Sequence, residues 1–201
     1  MIVKVGGSVA RQISMIFEAL GQAEQADAVV IPGGWIFADA VRRADKEFEL
    51  HSSTSHWMAV LAMNIYGLML EDVGRDYGFS VIEPQNFDEV HGKVILLPYL
   101  LLRNHDELPH SWDVTSDSIA VWVAAKLGER EVIKVTAAGG VYLDGDIVER
   151  IDASKLQTDV VDNFTPRLLV KYGINMFICS PQELKNYILR GRAKGTLVEG
   201  R

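Results

Sequence analysis

A lysine two residues ahead of a glycine pair, Lys4 followed by Gly6, Gly7 and Ser8, is the combination near the start of this chain best suited to chemistry. Glycines let the backbone turn sharply and bring N–H groups up to a ligand. A helix start adds free donors and partial positive charge, and a lysine adds a full one. Together they would hold a phosphate, although a tight strand-to-helix turn with a solvated lysine fits the same residues. The pattern then repeats, because the apolar run Ala28 to Ile31 leads into Pro32-Gly33-Gly34-Trp35. Two glycine turns at the carboxyl ends of neighbouring strands would face each other across one crevice, where open α/β sheets bind ligands. The doubled motif favours a phosphate-handling site over a pair of structural turns.

Other residues carry weaker signals. His56 and Trp57 fall near the first turn of a helical stretch, where an anion would be welcome; a hydrogen-bonded histidine at a helix start is the competing reading. Asp113 and Asp117 are four apart and share a face if their helix begins early, and spacing alone reads them as capping. Cys179, the single cysteine, excludes an internal disulfide and a cysteine-based metal cluster. It lies in an apolar run, GINMFICS, and reads as a buried thiol rather than a nucleophile.

The elements that must position these residues alternate between strand and helix, the pattern of a parallel sheet covered on both faces. Ile2, Val3 and Val5 read as a buried strand, and Ser8 as the N-cap of a helix from Val9 to about Leu20. Trp35 to Lys46 is amphipathic, with Phe37, Ala40, Val41 and Ala44 on one face. His51 to Gly67 has helical spacing, with Thr54 or Ser55 as cap, and its Ala59, Ala62 and Gly67 suit close packing in the core or against a second subunit. Strands follow at Phe79 to Glu83 and Lys93 to Leu97, and Tyr99 to Pro109 reads as a loop. A helix ending at Leu127 and a strand at Val132 to Val135 come next. Leu143 to Val148, with Asp144-Gly145 between apolar flanks, reads as a hairpin. Phe164 to Tyr172 and Pro181 to Arg190 are helical, with strands at Ile174 to Cys179 and Thr196 to Val198. No linker interrupts the series, so residues 1–201 read as one domain.

Composition limits the partners. A formal charge of −7 and a pI near 5.2 argue against nucleic acid or an anionic membrane surface, so an anionic ligand must be met by a few placed cations and backbone donors. No signal peptide precedes Met1 and no apolar run of about 18 residues occurs, which leads to the expectation of a cytoplasmic protein.

Five motifs in order, KVGGS, IPGGW, DVTSDSIA, KVTAAGGVY and GTLVEG, resemble the amino acid kinase family, and TSDS with GGVY resembles its uridylate kinase branch. The stretches FAD, SHWMAVLAMNIYG and LPHSWDVTSDSIA are similar to furan-methyl phosphate kinases of methanofuran biosynthesis. The resemblance implies a three-layer α/β/α sandwich with a mainly parallel central sheet. It also implies transfer of a phosphoryl group from ATP, with Mg²⁺, to a small monophosphate, in a homo-oligomer. On that reading Lys4 contacts the transferring group and Asp117 orients it. Gly6, Gly7, Ser8, Lys134, Thr136, Gly140 and Tyr142 bind ATP. Gly33, Gly34, Trp35, Arg42, His56, Trp57 and Thr115 meet the acceptor, and no residue is assigned to a protein-bound metal site.

Departures from the uridylate kinase pattern narrow the acceptor. The arginine that follows phenylalanine in that branch is replaced by Ala38, which leaves Arg42 as substitute; Ser55-His56-Trp57 stands where that branch has Asp-His-Met, with the aspartate near the ribose. Thr136-Ala137-Ala138-Gly139-Gly140 lacks the lysine and aspartate of the usual nucleotide turn. The resemblance therefore implies a kinase for aminomethyl-furan-methyl phosphate, with a nucleoside monophosphate kinase and a non-catalytic nucleotide-binding regulator as alternatives.

Overall fold

The computed structural model describes residues 1–23 and 27–201. Its centre is an eight-stranded sheet in the order β3-β4-β2-β1-β5-β9-β10-β8. Apolar β1 (Ile2–Val5) and β2 (Ala28–Pro32) pair in parallel, and β3 (Ser80–Ile82) and β4 (Lys93–Leu96) extend that side. On the other side β5 (Glu131–Val135) and β9 (Asn175–Cys179) are also parallel. The closing strand β10 (Thr196–Glu199) runs antiparallel to β9 and carries β8 (Arg150–Asp152) at the edge. Between β8 and β5 in the chain, β6 (Tyr142–Leu143) and β7 (Asp146–Ile147) form a separate hairpin, whose Asp144 and Gly145 both take positive φ, as a tight primed turn requires.

Strand alternation divides the core into two layers. Val3, Val5 and Val30 pack beneath α1 (Ile13–Gly21) and α7 (Pro181–Arg190). Ile2, Ile31 and Val132 pack beneath α5 (Ser116–Lys126) and α6 (Thr165–Tyr172). The long α3 (Ser52–Gly74) joins both layers, with Val60 and Met63 in one and Tyr66 and Leu70 in the other, and α2 (Trp35–Phe48) packs against it. The mainly parallel α/β/α sandwich is as expected.

Local structure departs from the sequence reading at several points. Gly7–Gln12 is a 3-10 helix and α1 starts only at Ile13; Ser8 caps nothing, since its hydroxyl turns toward the end of β5. α3 starts at Ser52, so neither Thr54 nor Ser55 is its cap. Tyr99–Asn104, expected as loop, is α4, six residues that bury Leu101 and Leu102, too short to show a period. α5 starts at Ser116, which leaves Asp113 before the helix, bonded to Asn163. The small residues of α3 serve internal contacts: a Cβ on Gly67 would lie 2.5 Å from Leu97, Ala62 is buried, and Ala59 faces a cavity.

Candidate active site

Lys4 and Lys134 are direct Cα partners in the adjacent parallel strands β1 and β5. Both share the sheet face of Ile2 and Val132, so two buried ammonium groups meet beneath the start of α5. Like charges so placed repel. Asp117, in the first turn of α5 and buried, relieves them: Lys134 Nζ donates to Oδ2 at 2.5 Å, and Lys4 Nζ lies 2.9 Å from Oδ1. Burial alone would raise the carboxyl, but Lys134 and then Lys4 outweigh it and hold Asp117 at about 2, while burial pushes Lys134 down to about 8. Asp117 is thus an ion-pair centre, and Lys134, which the resemblance assigns to ATP, is hydrogen-bonded to it.

The Lys4 ammonium lies 2.9 Å from Asp117 Oδ1, one contact for a group with three N–H donors. The ammonium therefore keeps donors for another anion. It sits beside the first glycine turn, 3.5 Å from where a Gly6 Cβ would lie. Neither Gly7 and Ser8 nor, in the second turn, Gly34 and Trp35 donate a backbone hydrogen bond among the described residues. The two turns touch: a Cβ on Gly7 would lie 2.7 Å from Trp35 Cα, and one on Gly33 3.3 Å from Gly7 N. Trp35 holds φ at 46°, a strained value for a bulky residue. This cluster of free N–H groups around a cation fits the phosphates of a nucleotide and of an acceptor. Among the described residues no three His, Cys, Asp or Glu side chains gather to hold a metal.

A cavity of about 620 Å³ opens from this point, lined at one end by Lys4, Gly7 and Ser8. One wall is a face of α2 (Trp35, Ala38, Asp39, Arg42, Asp45) and the other a face of α3 (Ser55, His56, Ala59, Met63). Ser111, Trp112 and Val114 to Ser116 close it, and a smaller hollow of about 320 Å³ shares Arg42, Trp112 and Thr115. Arg42 pairs with Asp39 at 3.1 Å and lies over Trp112. His56 is buried and stacks on His110, and burial followed by the charge of His110 lowers its pKa to about 4, so it is a neutral imidazole and no cationic anchor. Trp57 is not in the lining; it packs behind, against Tyr99 and His110 and under Arg103. Thr115 lines the cavity, yet its N–H and hydroxyl both donate to Asp162, which also accepts from Ser118 and Thr165 and so caps α5 and α6 together.

On the β5 side, Ser8 Oγ lies 3.3 Å from Thr136 Oγ1 and accepts from Ala137 N, which brings the first turn against the expected nucleotide turn. Gly140 packs on Ile147 and Thr196, and Tyr142 is exposed on the hairpin. Sequence reasoning missed Asp45, Trp112 and Asp162. Asp45 falls in the 35, 38, 39, 42, 45 stripe of α2, a helical spacing that could have exposed it.

An anion cradle around a lysine held by a buried carboxylate is phosphotransferase chemistry, and the chain belongs to the amino acid kinase family, whose model matches residues 1–180. It is 31% identical over 185 residues to the [5-(aminomethyl)furan-3-yl]methyl phosphate kinase of Methanocaldococcus jannaschii, covering 88% of this chain and 86% of that one. Its fold matches uridylate kinase from Archaeoglobus fulgidus (TM-score 0.75, 17% identity, 98% of this chain and 99% of that one). It also matches UMP kinase from Ureaplasma parvum (TM-score 0.74, 18% identity, 98% and 97%).

Proposed function

We propose that this protein is an ATP-dependent kinase that converts a small aromatic monophosphate, [5-(aminomethyl)furan-3-yl]methyl phosphate, to its diphosphate. The observation that carries the reading is Lys4, ion-paired to Asp117 and facing free turn N–H groups at the mouth of the α2–α3 cavity. ATP, with the Mg²⁺ on its phosphates, supplies the phosphoryl group. An acceptor phosphate oxygen forms the new P–O bond as the bond from the γ-phosphorus to the β–γ bridging oxygen breaks, and ADP leaves with that electron pair. Lys4 neutralises charge on the equatorial oxygens, Asp117 fixes its position, and Gly7, Ser8, Gly34 and Trp35 present N–H groups on both sides of the transfer. The reading carries with it a cytoplasmic location; no helix among the described residues is long and apolar enough to cross a membrane.

Ala38 and Ser55 occupy the places of the uridylate-recognising pair, and both face the cavity. UMP is therefore expected to be a poor acceptor. ADP release with the furan monophosphate and with UMP tests this: kcat/KM of roughly 10⁴ M⁻¹s⁻¹ or more is expected for the furan compound and a far lower value for UMP. The reverse order would overturn the assignment.

A further inference from the structure

We propose that Asp45 is the docking group for a primary ammonium on the acceptor, so that the cavity selects an aminated phosphate by its charge. The inference rests on the proposed kinase reading. Asp45 lies ten residues along α2 from Trp35, about 15 Å of helix from the glycine turns where phosphates would sit. It is thus at the far end of the cavity from Lys4.

Its surroundings keep it charged but leave it without a counter-ion. Ser55 Oγ donates to Oδ1 and Trp112 Nε1 to Oδ2, each at 2.6 Å, and these bonds, Ser55 first, hold its pKa below the ordinary carboxylate value. Both donors are neutral, and among the described residues no lysine or arginine pairs with Asp45; Arg42, which shares the cavity lining, is turned to Asp39. Each carboxylate oxygen retains a lone pair beyond the bond it already accepts. An anion fixed from two sides and open to a cavity is the complement of a small cation. The relative from Methanocaldococcus jannaschii acts, by its name, on an aminomethyl compound. A phosphate at one end and an ammonium at the other would span the cavity from Lys4 to Asp45.

Asp45→Asn tests the proposal with little change of shape. The amide oxygen can accept from Trp112, and the Ser55 hydroxyl can rotate to accept from the amide nitrogen. The readout is a ratio: kcat/KM for [5-(aminomethyl)furan-3-yl]methyl phosphate over that for its analogue with methyl in place of aminomethyl. A hydrogen bond to a charged group contributes about 1.5–3 kcal/mol, which corresponds to a wild-type ratio of about 10 to 100 or above. Asp45→Asn is expected to bring the ratio near 1. Equal losses on both acceptors, with the ratio retained, would make Asp45 a purely structural tie between α2, α3 and Trp112. A wild-type ratio near 1 with both compounds turned over would overturn the amine site and leave the kinase reading intact. No ADP from either compound would overturn both.

Discussion

Lys4 and Lys134 are chemically alike and face the same carboxylate, yet their roles divide. Lys134 is spent on a short hydrogen bond to Asp117, whereas Lys4 has an ion pair and unassigned donors at the cavity mouth. Lys4→Ala is expected to lower kcat by about 10² or more, near 3 kcal/mol, with a much smaller change in ATP Kd, because the contact strengthens as charge develops. It leaves the Asp117–Lys134 pair intact, so unfolding in urea should shift little. Asp117→Asn should instead cost about 3–5 kcal/mol of stability, since it strands two buried ammonium groups. Rate loss equal to the loss in ATP binding for Lys4→Ala would make the lysine a mere anchor.

The same residues set the acid response. His56 is held neutral, with its pKa moved from 6.5 to about 4, so the stability this contributes is full above pH 6.5 and fades as pH falls toward 4. Asp117 is depressed from 3.8 to about 2, so its share, about 2 kcal/mol, is full above pH 3.8 and is lost through pH 2. Melting temperature against pH should therefore fall in two stages, and His56→Gln should flatten the first. His110, bonded to Asp106 and Ser53, faces His56 and remains in that variant as a control. An unchanged first stage would assign it to another group.

At the level of elements, the two glycine turns act as one unit because each is the other's packing partner. Gly7→Ala would drive a Cβ into Trp35 backbone, where little can yield, and should destabilise by roughly 1–3 kcal/mol while cutting activity. Gly6→Ala meets only ordinary contacts at 3.5 Å and an extended backbone, so its melting temperature should stay near wild type. Equal shifts for the two would show that the turns do not interlock. Both turns, and the strands before them, were legible because each packs an apolar run, glycines and a helix start into ten residues. The Lys4–Asp117 link came only through resemblance, since spacing cannot show that residues 113 apart meet. The pairing of Lys134 with Asp117 was not legible because it depends on the β1–β5 register, a long-range property. Helical spacing places Asp45 on the stripe of Trp35, Ala38 and Arg42, but its bond from Trp112, 67 residues away, is long-range and could not be read from sequence.

For the molecule as a whole, α3 turns His56, Val60, Met63 and Tyr66 inward and leaves Leu61, Ile65 and Leu68 as an exposed apolar stripe; Ile36 and Phe48 of α2 are exposed as well. Exposed apolar residues at this helical spacing suit an interface, and we expect a homodimer through this stripe, carried by its leucines and isoleucine rather than by Ala59, Ala62 and Gly67. Sedimentation at micromolar concentration should give a dimer, and Ile65→Glu a monomer; a monomeric wild type would refute it. Lys4, Asp117 and the paired turns are expected to join one phosphate to another. This is tested most directly by following the intact enzyme with ATP, Mg²⁺ and [5-(aminomethyl)furan-3-yl]methyl phosphate by ³¹P NMR. Loss of the monoester signal and growth of two mutually coupled diphosphate resonances in step with ADP are expected. ADP rising with inorganic phosphate while the monoester persists, or no change at all, would contradict it.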